Sequence, residues 1–133
     1  WQIWITNNDD ATNIRMMRRG MNFMDSGNFS IAEEVFTQLI NRDPSYTEAW
    51  NKRATVRYLR NNLNGAERDI YDVLMREPRH FGAMAGLGLI KMQQGRLDEA
   101  LTIYKDILAI NPFSPDALRL VPELESVLKG DPV

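Results

Sequence analysis

The sequence predicts an all-α fold of three helix-turn-helix repeats followed by a capping helix, and three observations lead there. Pro44, Pro78 and Pro112 stand 34 residues apart, each behind a polar residue (Asp43, Glu77, Asn111) and each closing a run with helical apolar spacing. Other columns keep the same step: Gly20, Ala54 and Gly88; Ala32, Ala66 and Ala100; Phe36, Ile70 and Tyr104; Leu39, Val73 and Ile107. Within a repeat, apolar residues such as Phe36, Leu39 and Ile40 recur at i, i+3 and i+4, the period of a helix buried along one side.

In chain order, residues 1–12 are an apolar anchor (Trp1, Ile3, Trp4 and Ile5) and a polar lead-in from Thr6 to Asp10. Trp1 and Trp4 are three apart, so in a helical turn they share an apolar side with Ile5. That side needs covering, either by the first repeat or by a second copy of the chain. The repeats span residues 13–46, 47–80 and 81–114. In each, the small column on the first helix (Gly20, Ala54, Gly88) and the one on the second (Ala32, Ala66, Ala100) allow two antiparallel helices to approach closely. Ser30, Asn64 and Asp98 occupy equivalent positions and are the expected N-caps of the second helices, with Glu33 completing a capping box. Ser45 and Glu48 predict the same device at the next first helix. Gly27 and Gly95 supply turns between paired helices, and each proline stops a second helix by removing a donor and clashing with the preceding turn. Ser114 with Pro115 then opens the capping helix, residues 115–129, which carries Leu118, Val121, Leu124, Val127 and Leu128, with Pro122 as a candidate kink. Residues 130–133 form a tail.

A 34-residue period with these small, large and proline columns resembles the tetratricopeptide repeat (TPR), and Trp50 stands where that family's first-helix tryptophan would stand. The resemblance covers residues 13–114. It implies a right-handed α-α superhelix, a TPR solenoid whose first helices line a concave groove for a polypeptide partner. The family pattern is broken in places. Its usual aromatic is kept as Phe23 but becomes Arg57 and Lys91, and Arg19 and Arg53 occupy a position where leucine is common and Leu87 restores it.

Carrying the family's groove positions over places Ile14, Met17, Met21 and Met24 in repeat one, Asn51, Thr55 and Tyr58 in repeat two, and Ala85, Leu89 and Met92 in repeat three. Methionine is flexible and polarisable and suits surfaces that accept varied apolar ligands, which favours the groove for Met17, Met21, Met24 and Met92 over the alternative that they are core. Arg57 and Lys91, one repeat apart, could meet a partner's carboxylate, or their heads could pair with acids on neighbouring helices. Family members that grip the acidic C-terminal tails of chaperones use lysine, asparagine and arginine on their first helices. Here Met17, Met21, Lys52, Gly82 and Gly86 stand at those places, so that clamp is not expected.

Composition narrows the function classes further. A chain of 133 residues suits one domain, and its formal charge of −2 gives no footprint for nucleic acid or an anionic membrane. No apolar stretch reaches the roughly 20 residues of a membrane span, no signal peptide is visible, and a soluble chain is expected, with its compartment open. With no cysteine and a single histidine, His80, no metal site is expected, and His80 is read as structural or solvated. The acidic pairs Glu33/Glu34 and Asp98/Glu99 sit at starts of second helices, where the dipole favours them. Gly82, Gly86 and Gly88 follow no strand and do not make a phosphate loop. Neither cofactor nor catalytic residue is expected, and an enzyme is disfavoured. The leading expectation is a scaffold or adaptor that binds another protein or peptide in a methionine-rich groove. The alternative is a module that self-associates through residues 1–5 or the capping helix, so that the chain is a monomer or a homodimer.

Overall fold

In the computed structural model, residues 2–130 are described, with side chains described from residue 11 onward. The expected anchor at Trp1, Ile3, Trp4 and Ile5 and residues 131–133 of the expected tail 130–133 therefore lie outside the described residues or side chains. The described chain forms seven helices and no strand: α1 (Gln2–Asp25), α2 (Phe29–Arg42), α3 (Thr47–Leu59), α4 (Leu63–Arg76), α5 (Phe81–Gln93), α6 (Leu97–Ile110) and α7 (Pro115–Leu128). The polar lead-in is helical, since α1 runs unbroken from Gln2.

The chain divides into two compact units, Trp1–Arg76 and Glu77–Val133. In the first, α1 packs on α2, α2 on α3 and α3 on α4. Its core holds Met17, Ala32, Phe36, Leu39, Ile40, Ala49 and Val56, with Met16, Phe23, Met24 and Trp50 packed against them. In the second, α5 packs on α6 and α6 on α7, around Ala83, Leu87, Ala100, Tyr104, Ile107 and Leu120, all buried.

Bulk is partitioned column by column. A Cβ added to Gly20 would stand 2.5 Å from the Phe36 ring, and one added to Gly88 would stand 2.7 Å from the Tyr104 ring. Repeat two has Ala54 and Ile70 at the matching places, both buried, so the larger small residue accompanies the smaller large one. Bare backbone is thus required where an aromatic ring crosses the first helix. Ala32, Ala66 and Ala100 are fully buried.

The expected N-caps at Ser30, Asn64 and Asp98 need correcting. The second helices begin at Phe29, Leu63 and Leu97, and the cap positions Asn28 and Arg96 make no side-chain capping bond. Asn62 does cap, because its Oδ1 accepts the Gly65 N–H at 3.1 Å. The reason lies in the preceding residue. Gly27 (φ 83°), Asn61 (φ 64°) and Gly95 (φ 75°) are all left-handed, which reverses the chain in one step and lets the next helix start almost at once. Ser45 is likewise not a cap, since α3 follows Tyr46 and the Ser45 hydroxyl donates to Asp43 Oδ1 at 2.6 Å. The expected cap at Ser114 is present, with its Oγ accepting from the Ala117 N–H at 3.5 Å and Pro115 opening the helix. His80 caps α5, its Nδ1 accepting from the Ala83 N–H at 3.0 Å. Pro122 lies within α7, which continues to Leu128.

Candidate functional site

Two features of the first unit decide what its surface can offer. One is internal. Arg53 grips Asp69 with both ends of its guanidinium, Nη2 to Oδ1 at 2.7 Å and Nε to Oδ2 at 2.9 Å. Arg57 Nη1 reaches the same Oδ2 at 3.1 Å, while its Nε meets Glu33 at 3.3 Å and Arg60 closes on Glu33 at 3.0 Å. The Asp69 side chain is 3% exposed, so a carboxylate on α4 is buried against two arginines of α3. The residues 34 positions before and after Asp69 are Val35 and Ile103, while the column of Arg53 holds Arg19 and Leu87 and that of Arg57 holds Phe23 and Lys91, so the pairing of a carboxylate with two arginines belongs to α3 and α4. Fork-to-carboxylate geometry satisfies donors that would otherwise be buried without partners. Trp50 completes the layer. Its Nε1 donates to the Pro44 carbonyl at 3.0 Å, and Arg53 and Arg76 stand 5.2 and 5.1 Å from its ring centre.

The other feature is open. A cleft of about 290 Å³ runs along α1, with Ile14, Met17, Met21 and Tyr46 as its apolar lining and Arg18, Asn22 and Asp25 at polar positions. Helical spacing produces it, since residues 14, 17/18, 21/22 and 25 share one face of α1. Met17 joins the cleft to the core, because it is nearly buried and belongs to the central cluster. Ile14, by contrast, is half exposed.

Of the groove residues expected from the sequence, Met17 and Met21 meet in this cleft, together with Ile14. Met24 packs against the core of the first unit. Asn51, Thr55 and Tyr58 lie on α3, with the Thr55 hydroxyl donating to the Asn51 carbonyl at 3.1 Å. The Arg57 head is held by Asp69 and Glu33, which is the internal-pairing alternative. Lys91 also turns inward. It is 2% exposed, and its Nζ lies 3.8 Å from Glu99, which also pairs with Arg96. Ala85, Leu89 and Met92 lie on α5 in the second unit, where Leu89 is exposed and the other two are half-buried. Sequence reasoning missed Arg18, Asn22, Asp25 and Tyr46. The first three were legible as the polar neighbours of Met17 and Met21 on one helical face. Tyr46 comes from the turn before α3 and had no local signal.

No helix among the described residues is long and apolar enough to cross a membrane. Comparison with known proteins accords with the repeat architecture. A tetratricopeptide-repeat family model matches residues 58–124, and a second matches residues 17–77. A TPR repeat-containing protein of Rhizobium etli is 34% identical over 100 residues, covering 75% of this chain. The chain spans about half (49%) of that relative's length. Among solved structures, the first TPR of Spaghetti (RPAP3) bound to an HSP90 peptide superposes with a TM-score of 0.83 at 18% identity, covering 88% of this chain and 93% of that one. The second TPR domain of human RPAP3, in complex with an HSP70 peptide, gives a TM-score of 0.79 at 21% identity, covering 88% and 98%. With its 34-residue columns, its helical hairpins and these matches, the chain belongs to the tetratricopeptide repeat family.

Proposed function

We propose that this chain is a non-catalytic protein-interaction module that holds a segment of another polypeptide, anchored in the methionine cleft of α1. The observation that carries this reading is the cleft itself: a concave, largely apolar surface with Met17 and Met21 together on it and polar groups at its margin. Asn51, Thr55 and Tyr58 on α3 are the further contact positions of the first unit in this proposal, and Ala85, Leu89 and Met92 on α5 are contact positions of the second unit by itself. Arg57 and Lys91 act in it as supports, since their heads are engaged by acids of the same chain.

Two similar structures hold the chaperone peptides SRMEEVD and SGPTIEEVD. An acidic tail of that kind is a poor match for this chain, in which Met17, Met21, Gly82 and Gly86 stand where basic and amide groups would grip it. Calorimetry with SRMEEVD is expected to give weak binding or none. Tight, salt-sensitive binding lost on amidation of the peptide's terminal carboxylate would contradict this. Peptide-display selection tests the proposal as a whole. Peptides selected on the intact chain are expected to lose at least about tenfold in affinity against Ile14→Glu, a change at an exposed position that places a charge in the cleft. Selected peptides indifferent to that change would remove the cleft from the account.

One observation favours self-association as a second reading. Leu118, Val127 and Leu128 of the capping helix α7 are each more than two-fifths exposed. Light scattering on the chain and on Leu118→Glu distinguishes the two readings, since only self-association gives a dimer that this change dissociates.

A further inference from the structure

The cleft has a polarity of charge as well as an apolar lining. Arg18 and Asp25 stand seven residues apart on α1, roughly 10 Å at the helical rise, and both belong to the cleft wall. Neither has an ion-pair or hydrogen-bond partner for its side chain among the described residues, whereas Arg53, Arg57, Arg60 and Arg96 all do. Each also sits in an unfavourable field. Asp25 is the last residue of α1, a carboxylate at the negative end of a helix whose last turn contains no basic residue. Arg18 lies one turn beyond Arg15 on the same helix, so its nearest charged neighbour along that face is also a cation.

We propose, building on the peptide-binding reading above, that the cleft selects an extended segment of pattern acid–x–apolar–x–base. The acid lies on Arg18, the apolar side chain against Met17, Met21, Ile14 and Tyr46, and the base on Asp25. In an extended chain, alternate residues point the same way, so positions 1, 3 and 5 all face the cleft. They span about 13 Å, close enough to the Arg18 to Asp25 separation for the long Arg18 side chain to take up the difference. A cleft of about 290 Å³ has room for a large side chain. An aromatic anchor suits it best, because thioethers make favourable contacts with ring edges.

Three capped pentapeptides test this on the intact chain: Glu-Ser-Phe-Ser-Lys, Glu-Ser-Phe-Ser-Glu and Lys-Ser-Phe-Ser-Lys. Affinities are read from the methyl resonances of Met17 and Met21. The mixed peptide is expected to bind about two- to fivefold tighter than either of the others, the range for one exposed ion pair at the mismatched end. Arg18→Asp should transfer the preference to the dibasic peptide and Asp25→Arg to the diacidic one, with both effects fading in molar salt. Both positions are exposed, so the variants are expected to fold. Equal binding of the three peptides, or preferences unmoved by the two variants, would refute the charge pattern while leaving the apolar cleft as the binding surface. Silence of both methyl groups with every peptide would refute the cleft reading as well.

Discussion

At the residue scale, Asp69 is nearly inaccessible and holds the guanidinium groups of Arg53 and Arg57. Truncating one partner of a buried pair leaves the others charged without compensation, and this loss exceeds the net value of the intact pair. Asp69→Ala is therefore expected to destabilise the chain by about 3–5 kcal/mol in denaturant unfolding. The other repeats suggest how to repair it. Phe23 shares the column of Arg57, Leu87 that of Arg53, and Val35 that of Asp69. The triple change Arg53→Leu, Arg57→Phe, Asp69→Val should regain most of the loss, since an apolar set of similar volume replaces an ionic one at little net cost. A triple variant no more stable than Asp69→Ala would mean that the ionic set is not a substitute for the family's apolar packing.

At the element scale, each helical hairpin closes through a complementary pair, and the pairs differ between repeats. Gly20→Ala drives a methyl group into the Phe36 ring and is expected to cost about 1–3 kcal/mol. Combined with Phe36→Ile, which recreates the Ala54 and Ile70 pair of repeat two, the loss should be smaller than the sum of the two single changes. A coupling of at least about 0.5 kcal/mol in a double-mutant cycle would establish it, and simple additivity would contradict it. Much of this level was legible in the sequence, because spacing alone aligned Gly20 with Ala54 and Gly88, and Phe36 with Ile70 and Tyr104. Helix starts were less so. Ser30, Asn64 and Asp98 are good capping residues, yet the left-handed turn at positions 27, 61 and 95 begins each second helix two residues earlier. Asn61 concealed this, since it adopts at φ 64° a conformation that glycine takes at the equivalent positions 27 and 95.

At the scale of the whole molecule, the repeat period gave the family, while the site was only partly visible. Met17 and Met21 were expected on a groove because the resemblance carries the family's first-helix positions onto them, and Arg57 and Lys91 could not be assigned between groove and core without Asp69 and Glu99 in position. Tyr46 reaches the cleft only through tertiary folding. In the proposed function, this cleft is the surface on which a polypeptide partner is held. Methyl spectra of methionine-labelled chain, titrated with a peptide selected on it, report on that surface residue by residue. Met75, 83% exposed on α4, serves as the control. Saturable shifts at Met17 and Met21 with Met75 unmoved are the predicted result, and shifts at Met75 with Met17 and Met21 unchanged would contradict the account.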